Sequence, residues 1–413
     1  MDLYKLHYND IKRYILNEDK AYIIVLLYLF FEYVRPQSLY PVIDILPFGK
    51  IIMSMCLITY LTSKKKIKID NTSTKWMTVF AAVIVLSSFI GLSFSNSVQY
   101  WSDFISWILV YYLITHIVNT EKRFLLFIFL FLLCSFKMAQ FSTLGWLTAG
   151  RGYSSWGFGG GPGWFHNSGE FGIQMCLYFP LAFYFYMSLK DSWPKWKRMV
   201  FALLPLTGLT GMLSSSNRGT LVGGAVVIVW MFLKSRHKVK GLCALALVGF
   251  LALQFIPEEQ KQRIEVAGED QTSVTRINNW KKGLKMAEMY PAFGVGYKNW
   301  QIADRKIFGG NGLLSHNIFI ECVSELGYAG LTVFLFLIGS TFTNNNQTRK
   351  AVLIIGPNGN MFLYNMAHGL DAALIGYLVS GFFVTVLYYP YFWINLSMSV
   401  ALNNIAKSRS ASH

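Results

Sequence analysis

The chain has 413 residues, of which 54% are hydrophobic and only 14% charged, with a mean hydropathy of +0.39. So much apolar surface exceeds what one water-soluble core hides, and the composition is that of a membrane protein. The formal net charge of +16 would suit nucleic acid if the basic residues gathered on one water-facing surface. Instead Lys and Arg punctuate the apolar runs, in clusters such as Lys64-Lys65-Lys66-Ile67-Lys68 and Lys195-Trp196-Lys197-Arg198, which argues against a nucleic-acid partner and for membrane topology.

A helix needs roughly 20 apolar residues to cross about 30 Å of hydrocarbon, and a helix satisfies its own backbone there. About twelve runs qualify; they lie near 21–35, 46–62, 76–94, 101–118, 123–141, 169–188, 199–215, 218–234, 240–256, 317–339, 351–376 and 377–402. The fold class expected is an all-α polytopic membrane protein. The first run keeps Glu32, is rich in aromatics and has no small-residue cleavage site after it, so it reads as a retained span and not a signal peptide. The last two contain Pro357, Gly359, His368, Asp371 and Pro390, which equally suit a re-entrant segment. His368 and Asp371 share one helical face and are expected to pair. All five cysteines (Cys56, Cys134, Cys176, Cys243 and Cys322) fall within apolar runs, where a thiol packs as a small hydrophobe.

Orientation follows from charge. With the N-terminus cytoplasmic, the connections after even-numbered spans should be basic, and Lys64 to Lys75, Lys122-Arg123, Lys190 to Arg198, Lys234 to Lys240, Arg349-Lys350 and Lys407 to Arg409 all fall there. The short outer connections keep Arg35, Lys50, Arg151 and Arg218, each of which calls for its own explanation. The organisation expected is spans one to nine over 1–256 with a Gly-rich outer loop at 142–168, a large outer loop at 257–315, and spans ten to twelve with a cytoplasmic tail over 316–413.

Long connections in compact proteins are usually functional or disordered. The first outer loop contains "GFGGGPGWFHNSGEFG" (157–172). The second contains "TSVTRINNWKKGLKMAEMYPAFGVGYKNW" (272–300), in which Ile277, Trp280, Leu284 and Ala287 recur at helical spacing while Lys281, Lys282 and Lys285 face elsewhere. Pro291 ends that helix, and Gly294-Val295-Gly296 turns tightly.

Where this loop re-enters the membrane stands "SHNIFIECVSELGYAG" (315–330). Asn317 is placed to cap the following helix, and His316 faces the outer interface. Glu321 and Glu325 lie four residues apart on one helical face, at a depth where carboxylates are costly unless paired or functional, with Arg218 as a candidate partner. Each of these groups also has a bland reading. His316 can be an interfacial residue bonded to backbone, Arg218 a headgroup anchor, and Arg276 one charge on an amphipathic helix.

Arg218, Arg276 and His316 all fall on the outer side. There is no D-x-D motif, no H-E-x-x-H, no Cys/His spacing and no P-loop, so neither metal nor cofactor is expected. Guanidinium groups hold a diphosphate in bidentate fashion, and a neutral His accepts a proton from an attacking hydroxyl.

Residues 140–335 resemble the O-antigen ligase and polymerase superfamily, multispanning bacterial glycosyltransferases with a GT-C-like fold. "LSSSNRGTLVGG" (213–224), the 272–300 stretch and "LSHNIFIECVSELGYAGLTVF" (314–334) carry the resemblance, the last matching a His-Asn...Glu-x-Gly-x-x-Gly signature. The resemblance implies a bacterial inner-membrane enzyme that transfers a glycan from undecaprenyl diphosphate at the periplasmic face, with inversion and without metal. It implies that Arg218 and Arg276 hold the diphosphate and that His316 activates the acceptor hydroxyl. Asn317 and Glu325 would stand in the site, Glu325 either orienting groups or seating its helix. "YVRPQSLYP" (33–41) is similar to the N-terminal region of some members, which makes Arg35 a further phosphate contact.

The leading expectation is an O-antigen ligase acting on the lipid A-core oligosaccharide. A glycan polymerase or a protein O-oligosaccharyltransferase shares the donor, and a lipid-linked glycan flippase is the competing non-enzyme, which would carry its charges near the midplane.

Overall fold

Helix after helix in this chain begins on a residue whose side-chain oxygen accepts a backbone N–H, satisfying donors that the helix itself leaves free. Asn71, Asn167, Asn217, Asp270, Asn317 and Asn360 all cap in this way. The computed structural model describes residues 2–40, 42, 46–63, 71–152, 157–161, 163–235, 238–239, 268–355 and 360–411. Among them no strand occurs, and the helices are α1 (Tyr8–Leu16), α2 (Lys20–Tyr33), α3 (Pro36–Leu39), α4 (Phe48–Thr62), α5 (Thr72–Ile90), α6 (Phe94–Gln99), α7 (Trp101–Ile117), α8 (Glu121–Thr148), α9 (Ser168–Leu189), α10 (Lys195–Ser214), α11 (Arg218–Lys234), α12 (Gln271–Met289), α13 (Trp300–Phe308), α14 (Ile318–Ile354), α15 (Met361–Gly381) and α16 (Pro390–Ser410).

Four helical stretches among the described residues are long and apolar enough to cross a membrane: Thr72–Ile90, Glu121–Thr148, Ser168–Ser192 and Ile318–Ile354. The runs expected near 21–35, 46–62, 101–118 and 218–234 are helical but shorter, at 14, 15, 17 and 17 residues. The chain is a multi-pass helical membrane protein. The expected span at 240–256, with Cys243, lies outside the described residues, as do the basic connector at 64–70 and the start of the large loop at 257–267. The four described cysteines are free and buried.

The bundle is centred on α9, which packs against α15, α10 and α11, while α14 packs against α5, α16 and α15. Small residues permit the closest crossings: a Cβ at Gly223 would meet the Ser380 side chain, and one at Gly376 would meet Cys176.

Boundaries differ from expectation where polar side chains satisfy one another across helices. Residues 142–148 continue α8 and do not open the Gly-rich loop, because Ser142 bonds Ser214 (2.7 Å) and Thr143 bonds Thr210 (2.9 Å) on α10. Helix α14 likewise runs past 339 to Ile354. Its Asn344 bonds Asn71 (3.1 Å) and Ser73 (2.7 Å), and its Asn345 and Arg349 bond Asp371 at 2.8 and 2.6 Å. Asp371 is thus held by α14, while the His368 ring lies against Tyr184 and Tyr364.

The division between runs at 376 and 377 is not observed. Helix α15 continues to Gly381, and residues 382–389 form a non-helical segment before Pro390 starts α16. Such backbone is tolerated deep in a bundle when protein groups satisfy it: the Leu387 N–H donates to the Glu321 carboxylate (3.3 Å), and the Val386 carbonyl accepts from the Tyr377 hydroxyl (2.8 Å).

Helix α14 is broken at Gly327, whose φ of 68° and ψ of −171° are not helical. The break frees backbone groups on both sides, and the loop at 291–296 takes them up. Val295 and Gly296 donate to the carbonyls of Ser324 (2.8 Å) and Glu325 (3.0 Å), while Tyr328 and Ala329 donate to those of Pro291 (2.8 Å) and Ala292 (3.2 Å). A Cβ at Gly327 would collide with the Ala292 carbonyl, and the positive φ disfavours any L side chain. Replacing Gly327 with Ala is expected to destabilise the protein by at least about 1–3 kcal/mol from backbone strain alone, whereas Gly339→Ala, on the same helix with open space around it, leaves stability unchanged or raised. Thermal melting of both variants in detergent checks this; equal melting temperatures would remove the Gly327 lock.

Candidate functional site

The elements above leave a cavity of about 850 Å³ at one end of the bundle. Three helix N-termini open onto it: those of α9 (Asn167, Ser168, Gly169), α11 (Asn217, Arg218) and α12 (Asp270, Gln271). Free N–H groups and aligned peptide dipoles at such ends favour an anion. The segment 382–389 closes the remaining side with Val384, Thr385 and Tyr389.

Arg218, Arg276 and His316, far apart in sequence, all line this cavity. Arg218 is the first residue of α11, after the Asn217 cap. Its guanidinium forms a fork on Asp270, with Nη1–Oδ2 at 2.8 Å and Nη2–Oδ1 at 3.2 Å. The Asp270 carboxylate also accepts from the Ser273 hydroxyl (2.6 Å). The Arg218 hydrogen bonds, supported by Ser273, hold that carboxyl well below the usual carboxylate range. The Arg276 guanidinium makes no hydrogen bond among the described residues, and its Nε is buried. Burial and the charge of Arg218 push its pKa down, against the pull of Asp270. A site that disfavours a second cation in this way gains from an anion placed between the two arginines.

His316 has a φ of 51°, in the left-handed region, and this uncommon conformation is held from several sides. Its N–H donates to the Thr385 hydroxyl (2.9 Å). The preceding carbonyls are tied to α12, Leu314 by the Asn279 amide (3.0 Å) and Ser315 by the Trp280 indole (2.9 Å). Burial, with the Arg276 charge in second place, lowers the imidazole pKa to about 4, so the ring is neutral at physiological pH and retains a lone pair.

The other expected site residues lie elsewhere. Asn317 is buried and uses its side-chain oxygen to cap α14 through the N–H groups of Phe319 (2.9 Å) and Ile320 (3.2 Å). Glu325 does not line the cavity. Its carboxylate accepts the N–H groups of Lys298 (3.0 Å) and Trp300 (3.2 Å), which clamps the turn that leads into α13. Neither glutamate of α14 pairs with Arg218, whose fork is on Asp270. Arg35 also stands off the cavity: its side chain lies against Gly163, 4.0 Å from Glu32. Of the other cations expected on the outer side, Lys50 bonds Ser102 (3.0 Å) beside Asp103.

Helix α12 ends at Met289 just before Pro291, as its sequence predicts, but its buried face is Asn279, Gly283, Met286 and Ala287. Ile277 and Leu284, expected inward, are exposed. The helix packs on Ile320 and Trp300 through Gly283, which rotates the contact away from the branched residues.

Asp270 and Glu170 also line the cavity, though neither was among the expected site residues. Glu170 accepts a hydrogen bond from the Tyr389 hydroxyl (2.6 Å). Each had a local signal: Asp270 stands at an N-cap position before Thr272 and Ser273, and Asn167-Ser168-Gly169-Glu170 has the spacing of a capping box. Among the described residues no group of three or more His, Cys, Asp or Glu is placed to hold a metal ion.

The site is thus a helix-capped cavity of a multi-pass helical membrane protein, lined by Arg218, Arg276 and His316 together with the carboxylates of Asp270 and Glu170. Residues 199–335, which carry Arg218, Arg276 and His316, match the family described as O-antigen ligase, a match that supports the likeness to the O-antigen ligase and polymerase superfamily. Residues 12–189 match a family of unknown function (DUF5935). No curated protein matches the chain. A solved structure titled "Structural coordination of polymerization and crosslinking by a peptidoglycan synthase complex" is similar to it at 18% identity over 81% of this chain and 97% of that one, with a TM-score of 0.41, too loose a likeness to bear on fold or activity.

Because the folded pKa of His316 lies below its ordinary value near 6.5, the unfolded chain binds the proton more readily. The stability contribution of the neutral ring is complete above about 6.5 and is lost as pH falls towards about 4. The melting temperature is expected to drop over that window, and His316→Gln should lack this component. An imidazole that titrates near 6.5 by NMR would contradict the burial argument.

Proposed function

We propose that this protein transfers a glycan from an undecaprenyl diphosphate carrier to a hydroxyl of the lipid A-core oligosaccharide, as an O-antigen ligase spanning the bacterial inner membrane about twelve times, with its cavity on the periplasmic face. The observation that carries this reading is the meeting of Arg218, Arg276 and His316 in one cavity. The basic connectors expected on the opposite side support the orientation.

In this reading the donor diphosphate sits between Arg276 and Arg218 and takes the place of the Asp270 carboxylate on the Arg218 fork. His316 accepts the proton of the acceptor hydroxyl as its oxygen bonds to the anomeric carbon. The bond from that carbon to the phosphate oxygen breaks with inversion, the electron pair stays on the departing undecaprenyl diphosphate, and the arginines stabilise the charge that develops there. The proton then passes from His316 to water. No metal or cofactor enters.

The test is transfer between a synthetic undecaprenyl-diphosphate-linked donor and a core acceptor by the purified protein. His316→Ala is expected to lower the rate by about 10²–10⁴-fold, and Arg218→Lys to lose most of the activity although the charge is kept, because the fork is gone. Chelator should leave the rate unchanged. Full activity of His316→Ala, or strong inhibition by chelator, would overturn the mechanism. Lipopolysaccharide gels of a deletion strain then identify the acceptor: loss of every glycan-bearing band fits a ligase, and survival of a single-repeat band fits a polymerase.

A further inference from the structure

A second cleft, of about 490 Å³, adjoins the cavity and shares Thr275 and Leu313 with it as lining residues. Its walls are α12, which supplies Asn278, Asn279 and Lys281, and the 309–313 loop, which supplies Asn311. None of these side chains has a part in the transfer step proposed above.

The loop wall is fixed before any ligand arrives. The Asp304 carboxylate, on α13, accepts from the Gly312 N–H (2.8 Å) and from Lys282 (2.7 Å). The Trp300 indole donates to the Leu313 carbonyl (2.8 Å), and the Gln301 amide to that of Gly312 (3.1 Å). Against this frame the cleft presents carboxamides. The Asn279 side chain is buried, with its nitrogen engaged by the Leu314 carbonyl. Asn278 and Asn311 are exposed, with no hydrogen bond from their side chains among the described residues.

Carboxamides offer a donor and an acceptor in one plane, the complement of adjacent sugar hydroxyls. The charge is equally specific. Lys282 is neutralised by Asp304, whereas Lys281 has no carboxylate within salt-bridge distance among the described residues, and Lys285 stands one helical turn from it. Like charges at that spacing destabilise a helix, and an anion relieves them. We propose that this cleft is a glycan subsite that binds the sugar residues next to the reacting end, pairing hydroxyls with Asn278 and Asn311 and a sugar carboxylate or phosphate with Lys281. The proposal rests on reading the neighbouring cavity as the site of glycan transfer, and it makes an acidic glycan the preferred class.

The test uses the full-length protein in lipid nanodiscs and ligand-observed saturation-transfer NMR, with maltotetraose as the neutral probe and tetragalacturonate as the acidic one. Both are expected to bind, the acidic probe more tightly. Lys281→Ala should weaken tetragalacturonate by at least about fivefold and leave maltotetraose unchanged, while Asn278→Ala with Asn311→Ala weakens both by a similar factor. These residues are exposed, so the variants keep their fold, which melting temperatures verify. Failure of both probes to bind, or cleft variants that bind both probes normally, would overturn the subsite; so would binding lost only in Arg276→Ala, which would assign the sugars to the cavity. The two readings fail separately. Cleft-dependent binding together with full transfer by His316→Ala sinks the proposed reaction and leaves the subsite, and His316-dependent transfer without probe binding does the reverse.

Discussion

The interruption of one buried helix at Gly327 is the constraint on which the rest of the site depends. A continuous α14 would consume its own carbonyls at Ser324 and Glu325 and its own N–H groups at Tyr328 and Ala329. Because the backbone turns out of helical geometry there, those groups are offered sideways and the 291–296 loop is bonded to them on both flanks. Burying this much backbone is tolerable only when every polar group finds a partner. The Glu325 carboxylate extends the same seam by taking the N–H groups of Lys298 and Trp300.

From that seam the geometry propagates outward. Fixing Lys298 and Trp300 fixes the start of α13, and the Trp300 indole then holds the Leu313 carbonyl. Helix α12 holds the next two carbonyls through Asn279 and Trp280, and Thr385 takes the N–H of His316. The histidine is therefore placed by three separate segments, which is how a strained φ persists. The Glu-x-Gly-x-x-Gly stretch that looks like part of a reactive centre serves as the hinge pin of the scaffold around it.

The electrostatics follow from what is paired and what is not. Arg218 is matched by Asp270, while Arg276, one wall away, is not matched by any hydrogen bond among the described residues. Glu170, the other carboxylate of the lining, is bonded to the Tyr389 hydroxyl, so what favours an anion beside Arg276 is that unbonded guanidinium together with three helix N-termini. The same unmatched charge, added to burial, keeps His316 neutral. An anion-seeking pocket and a neutral imidazole are thus two consequences of one arrangement of groups.

Much of this was legible in the sequence. Apolar runs located α2, α4, α5, α7, α9, α10 and α11 to within a few residues, since a long run of side chains without charge has few other places to go. Asn317 was readable as a cap, and Arg218, Arg276 and His316 were singled out by their expected place on one side of the membrane and by the family resemblance; that they line one cavity is a fact of the fold. Three things were not readable: the face that α12 buries, the non-helical segment at 382–389, and the partners of Arg218 and Asp371. Each is settled by a group distant in the chain: Ile320 and Trp300 against Gly283, Glu321 against the Leu387 N–H, Asp270 against Arg218, and Arg349 against Asp371. Local pattern dictates which residues cannot face lipid or water unpaired. Which partner relieves them is decided only when the fold brings the two together, because the free energy of a buried polar group depends on the atom it meets and not on the residues beside it in the chain.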